Sequence, residues 1–391
     1  MKKEKEKIQK MKEVFAQRLQ NIRKICGMSQ SELAEKMKEL AEDSTIFKAV
    51  SSTAIEKYEK GIMFPESSGI IVTIAAALNT NPGNLMRPFS VTIDREKFEF
   101  RKKSRLGKKA IEGIKLQIAQ RIEKYVEVER IAGEEPVFDV DFSNIEVRTA
   151  FDAFNVAMKL RKKWELGMGP IVKPIQMLES HGVKVIDVKE DPELFDGTSV
   201  MVEGLPVIVL NSNLEPCANE KYQLTPERRN LTLFHELGHM VMHIPADIVG
   251  IKRENLCNAF ANEMLIPSET FINIFGKKRN GFSLWEMKDV QRDFGISIRA
   301  LMKKAEMLNV VTQSYYKYYN IRLNSPENAE KRKRMDASEI PLQQSNRYER
   351  LVYRCLSSEI ITISKAAELL DTSISDILEN LKIEYDKSHN C

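Results

Sequence analysis

Three of the chain's five histidines, His235, His239 and His243, fall within LFHELGHMVMH at residues 233–243, and Glu236 follows the first of them. HELGH has the spacing H-E-x-x-H, in which two imidazoles and a carboxylate can serve one metal ion. On a helix, residues four apart rise about 6 Å and turn about 40° past a full turn, so His235 and His239 project from one face. Their ring nitrogens can converge on a single ion at the roughly 2.0–2.1 Å that zinc requires. Glu236 sits about 100° round the helix. It is no equal ligand there, but it can reach a water on the ion, where a general base belongs. His243 would lie about 12 Å from His235 along a straight helix. It is therefore expected behind the ligands or at the surface, not on the ion.

A third ligand should be a carboxylate from the next helix. RENLCNAFANEMLIP, residues 253–267, offers Glu254 and Glu263. Glu254 follows a turn marked by Pro245 and Gly250 and is the expected ligand, while Glu263 falls on another side of the helix. Asn258 is one helical turn beyond Glu254, placed to hydrogen-bond a ligand histidine. The expected cofactor is one Zn²⁺ per chain.

Composition sets the frame for this site. The 391 residues, 42% hydrophobic and 30% charged, suit two or three globular domains. No apolar run reaches the roughly 18–20 residues of a membrane span, and the charged N-terminus lacks the apolar core of a signal peptide. The five scattered cysteines suggest free thiols in a reducing cytoplasm, and no CxxC pair offers a thiolate zinc knuckle. A net charge of +4 conceals an asymmetry: residues 1–110 carry 23 Lys and Arg against 14 Asp and Glu. A local basic excess of this kind suits either a phosphate backbone or a solvated helical surface.

The elements that must position the motif can be read from periodicity and punctuation. VFAQRLQNIRKIC has helical spacing and stops at Gly27. Ser29 and Glu32 form a capping box for the helix SQSELAEKM. AVSSTAIEKYEKG is another helix, capped by Ser51 or Ser52 and stopped at Gly61. GIIVTIAAALN reads as a buried helix, and KKAIEGIKLQIAQRIEKYVEVERI as a long one. GVKVIDVKE, FDGTSVMVEG and LPVIVLNS alternate and are rich in valine and isoleucine, which predicts three strands. The motif helix should span roughly 226–244 and the next one about 253–265. Residues 280–391 read as mostly helical, with a polar linker at 324–338.

Taken in order, LRKKWELGMGPI, MLESHGVKV, FDGTSV, LPVIVLN, ERRNLTLFHELGHMVMH and ENLCNAFANEMLIP resemble an ImmA/IrrE-type metallopeptidase over about residues 144–267. That family's E-x-x-A-N-x-F-A-x-x-L-x-x-P pattern falls on Glu254, Asn258, Phe260, Ala261, Leu265 or its neighbours, and Pro267. Cys257 stands where alanine is common. The resemblance implies a gluzincin-like zinc site with His235, His239 and Glu254 as ligands and Glu236 as catalytic base. It also implies a repressor-type DNA-binding protein as substrate. Tyr315, Tyr316, Tyr318 and Tyr319 are candidates to stabilise the oxyanion.

RLQNIRKICGMSQSELAEKM followed by VSSTAIEKYEKGIMFPE resembles a Cro/C1-type (XRE-like) helix-turn-helix. In that resemblance Ser52, Thr53, Glu56 and Lys57 face the major groove, and Gln30 and Lys60 touch phosphate. KELAEDSTIFKA intervenes where such proteins pass between the two helices in a few residues. The partners implied are a protein substrate and double-stranded DNA, with no membrane, and the resemblance admits a homodimer.

The expected architecture is α+β and mostly helical. A charged leader spans 1–12, an all-α helix-turn-helix domain 13–88, and a basic segment with a connecting helix 89–138. A zincin-like metallopeptidase domain with a small sheet spans 139–275, and a helical C-terminal region 276–391. The expected function is a cytoplasmic zinc-dependent, site-specific endopeptidase and transcription regulator. The alternatives are a non-catalytic metal-sensing DNA-binding regulator and an interaction protein of a toxin–antitoxin or phage-type operon.

Overall fold

The computed structural model describes residues 2–94, 98, 107–215 and 223–386, with the side chains of 2–5 and 382–386 excepted. The chain is α+β and mostly helical, and its described residues form one three-stranded sheet. It divides into two compact units, one of residues 1–96, 105–135 and 346–391, the other of 97–104 and 136–345. Residues 276–391 thus do not form one region: they are shared between the units at Ser345 and Asn346. Most of the basic stretch FEFRKKSRLGKK lies outside the described residues.

The first unit opens with α1(Lys2–Ile25), α2(Gln30–Ala41), α3(Ser52–Glu59), α4(Ser68–Ala77), α5(Pro82–Met86) and α6(Lys108–Ala132). Ser29 Oγ accepts from Glu32 N, and the Glu32 carboxylate accepts from Ser29 N, so the expected capping box forms at α2. Ser51 caps α3, its side chain accepting from Ala54 N. Phe15, Leu19, Leu33, Met37, Ile55 and Ile74 are fully buried together. The connection between α2 and α3 is held on α4, where Lys48 N donates to Thr73 Oγ1 at 2.8 Å. A Cβ at Gly69 would lie 2.7 Å from the Ile46 carbonyl oxygen, so glycine permits that approach.

The second unit carries α7(Ala150–Lys163), α8(Pro174–Ser180), β1(Lys184–Val188), β2(Gly197–Val202), β3(Leu205–Asn211), α9(Pro226–Val241) and α10(Ile251–Leu265). Then follow α11(Ser268–Phe275), α12(Leu284–Phe294), α13(Ile298–Met307), α14(Gln313–Asn324) and α15(Ala329–Asp336). The three strands form where alternation predicted them, in the order β1-β3-β2. β1 runs parallel to β3, and β2 antiparallel. Glu203 and Gly204, with φ of 50° and 83°, make the tight turn that joins β2 to β3, a two-residue hairpin needing positive φ twice. The expected linker at 324–338 is largely α15: after Pro326 the sequence AEKRKRMD holds only helix-compatible residues.

The chain returns to the first unit with α16(Arg347–Ser357), α17(Ile363–Leu370) and α18(Ile374–Asp386). α16 and α17 meet α6 through charged side chains, and α18 packs on α17. Arg347 pairs with Glu129, Lys365 with Glu127, and Lys124 Nζ with Asp371 Oδ1.

Candidate metal centre

α9 begins with Thr225 as cap and Pro226 in its first turn, the position where a missing N–H costs nothing. One side of it, including Leu233, Phe234, Leu237 and Val241, is buried in the core of the second unit. The helix ends sooner than periodicity suggested. Met242 is extended (φ −89°, ψ 133°), and the His243 carbonyl accepts from Val147 N at 2.9 Å. The reason is that pairing with Glu146 and Val147 draws the chain out of the helix at His243. Its side chain is exposed.

α10 packs closely on α9 at Gly238. A Cβ there would lie 3.1 Å from Phe260 Cδ1, closer than most real Cβ contacts. This approach sets the N-terminal half of α10 beside the histidine face. Glu254 Oε2 is 3.0 Å from His235 Nε2, and Glu254 Oε1 is 3.7 Å from His239 Nε2. The two Nε2 atoms are 3.0 Å apart. One donor atom from each of His235, His239 and Glu254 lies within 4.8 Å of the others.

Zinc held tetrahedrally at about 2.0–2.1 Å would separate its donors by roughly 3.3 Å, close to the spacing found. The far sides of the rings are engaged too. His235 Nδ1 is 2.9 Å from Asn258 Oδ1. Because that oxygen can only accept, Nδ1 carries a proton, which leaves Nε2, the nitrogen beside Glu254, as the one a metal would take. His239 Nδ1 is 3.4 Å from Cys257 Sγ. Two nitrogens, a carboxylate and an oriented outer partner are a donor set that fits zinc.

The electrostatics agree with a site built for positive charge. The hydrogen bond from His235, and then the close approach of His239, hold the Glu254 carboxyl well below the usual carboxylate range. Burial opposes charge on His235, but the hydrogen bond to Glu254 and the charge of Glu236 outweigh it and raise its pKa. Burial, then the negative charge of Glu254, pushes the Cys257 thiol far up in the metal-free site.

Glu236 Oε2 accepts a hydrogen bond from Ser199 Oγ on β2 at 2.7 Å. Sequence reasoning gave Ser199 no role, although it stands in FDGTSV; only the pairing of β2 with α9 reveals it. Glu263 is buried and accepts from Lys304 Nζ at 2.6 Å and from Ser268 N and Oγ, so its carboxylate is committed elsewhere. Of the tyrosines, Tyr315, Tyr316 and Tyr319 pack against the core, with the Tyr319 hydroxyl 3.9 Å from Met335 Sδ. Tyr318 is exposed.

In the first unit, Thr53, Lys57 and Lys60 are exposed on or beside α3, Ser52 is half-buried, and the Glu56 side chain is 46% exposed. Lys60 Nζ donates to Glu56 Oε1 at 2.5 Å, so these two charges offset one another. Gln30 Nε2 donates to Glu59 Oε2 at 2.8 Å, a carboxylate already bound by Arg23.

Comparison with known proteins adds an independent line. A search of curated proteins finds no match. Residues 178–306, which include the sheet and the HELGH helix, match the Peptidase_M78 family model, described as the IrrE N-terminal-like domain, and this match supports a metallopeptidase-type function.

Proposed function

We propose that the protein is a zinc-dependent endopeptidase that cleaves a DNA-binding repressor, and that its first unit binds double-stranded DNA. The observation that carries this reading is the convergence of His235, His239 and Glu254 beside a carboxylate, Glu236, whose second oxygen is tied to Ser199. A metal sensor or structural staple needs the three ligands but has no use for a held carboxylate next to them.

In this reading His235, His239 and Glu254 hold the ion, and Asn258 orients His235. Zinc, when bound, polarises the scissile carbonyl and lowers the pKa of its water. Glu236 accepts the water's proton at its free oxygen and delivers it to the leaving amine. The repressor substrate is the class that the ImmA/IrrE resemblance implies, and the exposed Thr53 and Lys57 together with the basic N-terminal excess support the DNA partner.

The test compares cells producing the wild type with cells producing Glu236→Gln by mapping newly created protein N-termini. The expected result is a new terminus within a DNA-binding repressor, present with wild type and absent with the variant. A repressor cut equally by both proteins would sink the mechanism.

A further inference from the structure

The strand β2 and the helix α9 run in step. Two residues of a strand advance about 6.6–6.8 Å, and four residues of a helix about 6 Å. Gly197 accordingly meets Thr232, and Ser199 meets Glu236. At the first pair, a Cβ on Gly197 would lie 2.6 Å from Thr232 Cγ2. That methyl group is fixed in place, because Thr232 Oγ1 donates to the Arg228 carbonyl at 3.0 Å. At the second pair, Ser199 Oγ donates to Glu236 Oε2 at 2.7 Å. The missing side chain at Gly197 is what allows the strand close enough for the serine to reach.

We infer that Ser199 is the positioning residue for Glu236, and that Gly197 sets the distance at which it works. This inference rests on the metallopeptidase reading of the same site. Glu236 has several rotatable bonds, and left free it would spread over several rotamers, some directed toward the imidazoles of its own helix. A donor on one carboxylate oxygen selects a single orientation and leaves Oε1 as the free acceptor. The hydrogen bond is charge-assisted, which makes it a strong restraint. It also comes from a strand, a more rigid support than a loop. Ser199 touches neither metal nor substrate in this scheme; it acts through Glu236.

The test needs no natural substrate. Full-length protein is loaded with Co²⁺, and acetohydroxamic acid is titrated in while the visible spectrum of the cobalt is followed. A hydroxamate bound to the metal presents a hydroxyl to the neighbouring carboxylate, so its affinity reports whether Glu236 is in place. Metal content and thermal unfolding are measured on every variant. Glu236→Gln should weaken binding by about tenfold or more, the scale of a lost charge-assisted hydrogen bond. Ser199→Ala should weaken it by a comparable factor with metal content and unfolding unchanged, and Ser199→Thr, which keeps the hydroxyl, should restore it.

Gly197→Ala should reproduce the loss of affinity, and adding Thr232→Ser, which removes the obstructing methyl, should recover much of it. This pair carries the test if Ser199→Ala does not fold. Wild-type affinity in Ser199→Ala, or in Gly197→Ala, alongside weak binding by Glu236→Gln would overturn the role of Ser199 and leave Glu236 as the base. Wild-type affinity in Glu236→Gln would instead overturn the metallopeptidase reading, and the inference with it.

Discussion

Glu254 Oε2 lies 3.0 Å from His235 Nε2, although nineteen residues separate them in the chain. The contact exists because α10 returns against α9 at Gly238, where Phe260 takes the room a side chain would need. Asn258, one turn along the same helix, reaches the other nitrogen of the same ring. Glu254→Ala should therefore abolish stoichiometric zinc binding. Asn258→Ala should keep the ligands but weaken zinc by about 10–100-fold, as loss of an outer partner commonly does. Elemental analysis and competition with a chelator measure both. Equal zinc affinity in Asn258→Ala and wild type would remove Asn258 from the site.

Zinc affinity should fall steeply with acid. The pKa of His235 is raised, since its hydrogen bond to Glu254 and the charge of Glu236 overcome the burial that opposes its charge. A raised pKa means that the metal-free site keeps this proton to a higher pH than an ordinary histidine, whose value is about 6.5. Zinc must displace it. Apparent affinity should thus already be declining as pH drops past neutrality, before a free imidazole would compete. Glu254, held low by His235 and His239, adds no competition in that range. Chelator competition between pH 8 and pH 6 reads the slope, and protons released on zinc addition read it independently by calorimetry in buffers of different ionisation enthalpy. An affinity independent of pH across that range would contradict this order of protonation.

The local signals were legible wherever one residue pattern decides one element. Ser29 and Glu32 announced the start of α2, alternation announced β1 to β3, and the H-E-x-x-H spacing announced two donors on one face. Glu254 could be singled out because turn residues place it after the motif helix. What escaped was decided by contacts distant in sequence. His243 leaves the helix because Val147 binds its carbonyl, nearly a hundred residues upstream. Ser199 reaches Glu236 through strand–helix packing that no periodicity encodes. The division of residues 276–391 follows from pairs such as Arg347 with Glu129, which look like ordinary surface charges when read along the chain.

Glu123 is a buried charge that several groups of the first unit share. It is 3% exposed and accepts from Arg18 at 2.5 and 2.7 Å, from Arg87 at 3.1 Å and from Ser90 N at 2.8 Å. Removing one member of a buried ionic group leaves charge uncompensated, at a cost of about 3–5 kcal/mol, and here Arg18 would lose its carboxylate while Arg87 keeps Glu127. Glu123→Gln should destabilise the first unit on that scale, because its amide group would face a guanidinium with a donor. Glu56→Gln, at the exposed pair with Lys60, should leave unfolding unchanged. Urea denaturation of the two variants makes the comparison, and equal midpoints would show that the buried cluster is not holding the unit together.

The same exposed pair makes a prediction about DNA. Lys60 is occupied by Glu56, so Lys57 is the positive charge α3 has left to offer a phosphate. Lys57→Ala should weaken full-length protein on any short duplex and lower the slope of log affinity against log salt by about 1. Glu56→Gln should do the reverse and strengthen binding, since it releases Lys60. Gln30→Ala should act differently from both. Its amide is held by Glu59, so its loss should lower stability more than it changes the salt slope. Fluorescence anisotropy of a labelled duplex at several salt concentrations distinguishes the three. If Lys57→Ala and Glu56→Gln both leave the slope where it was, this face of α3 does not meet the phosphate backbone, and the partner of the first unit is to be sought among proteins.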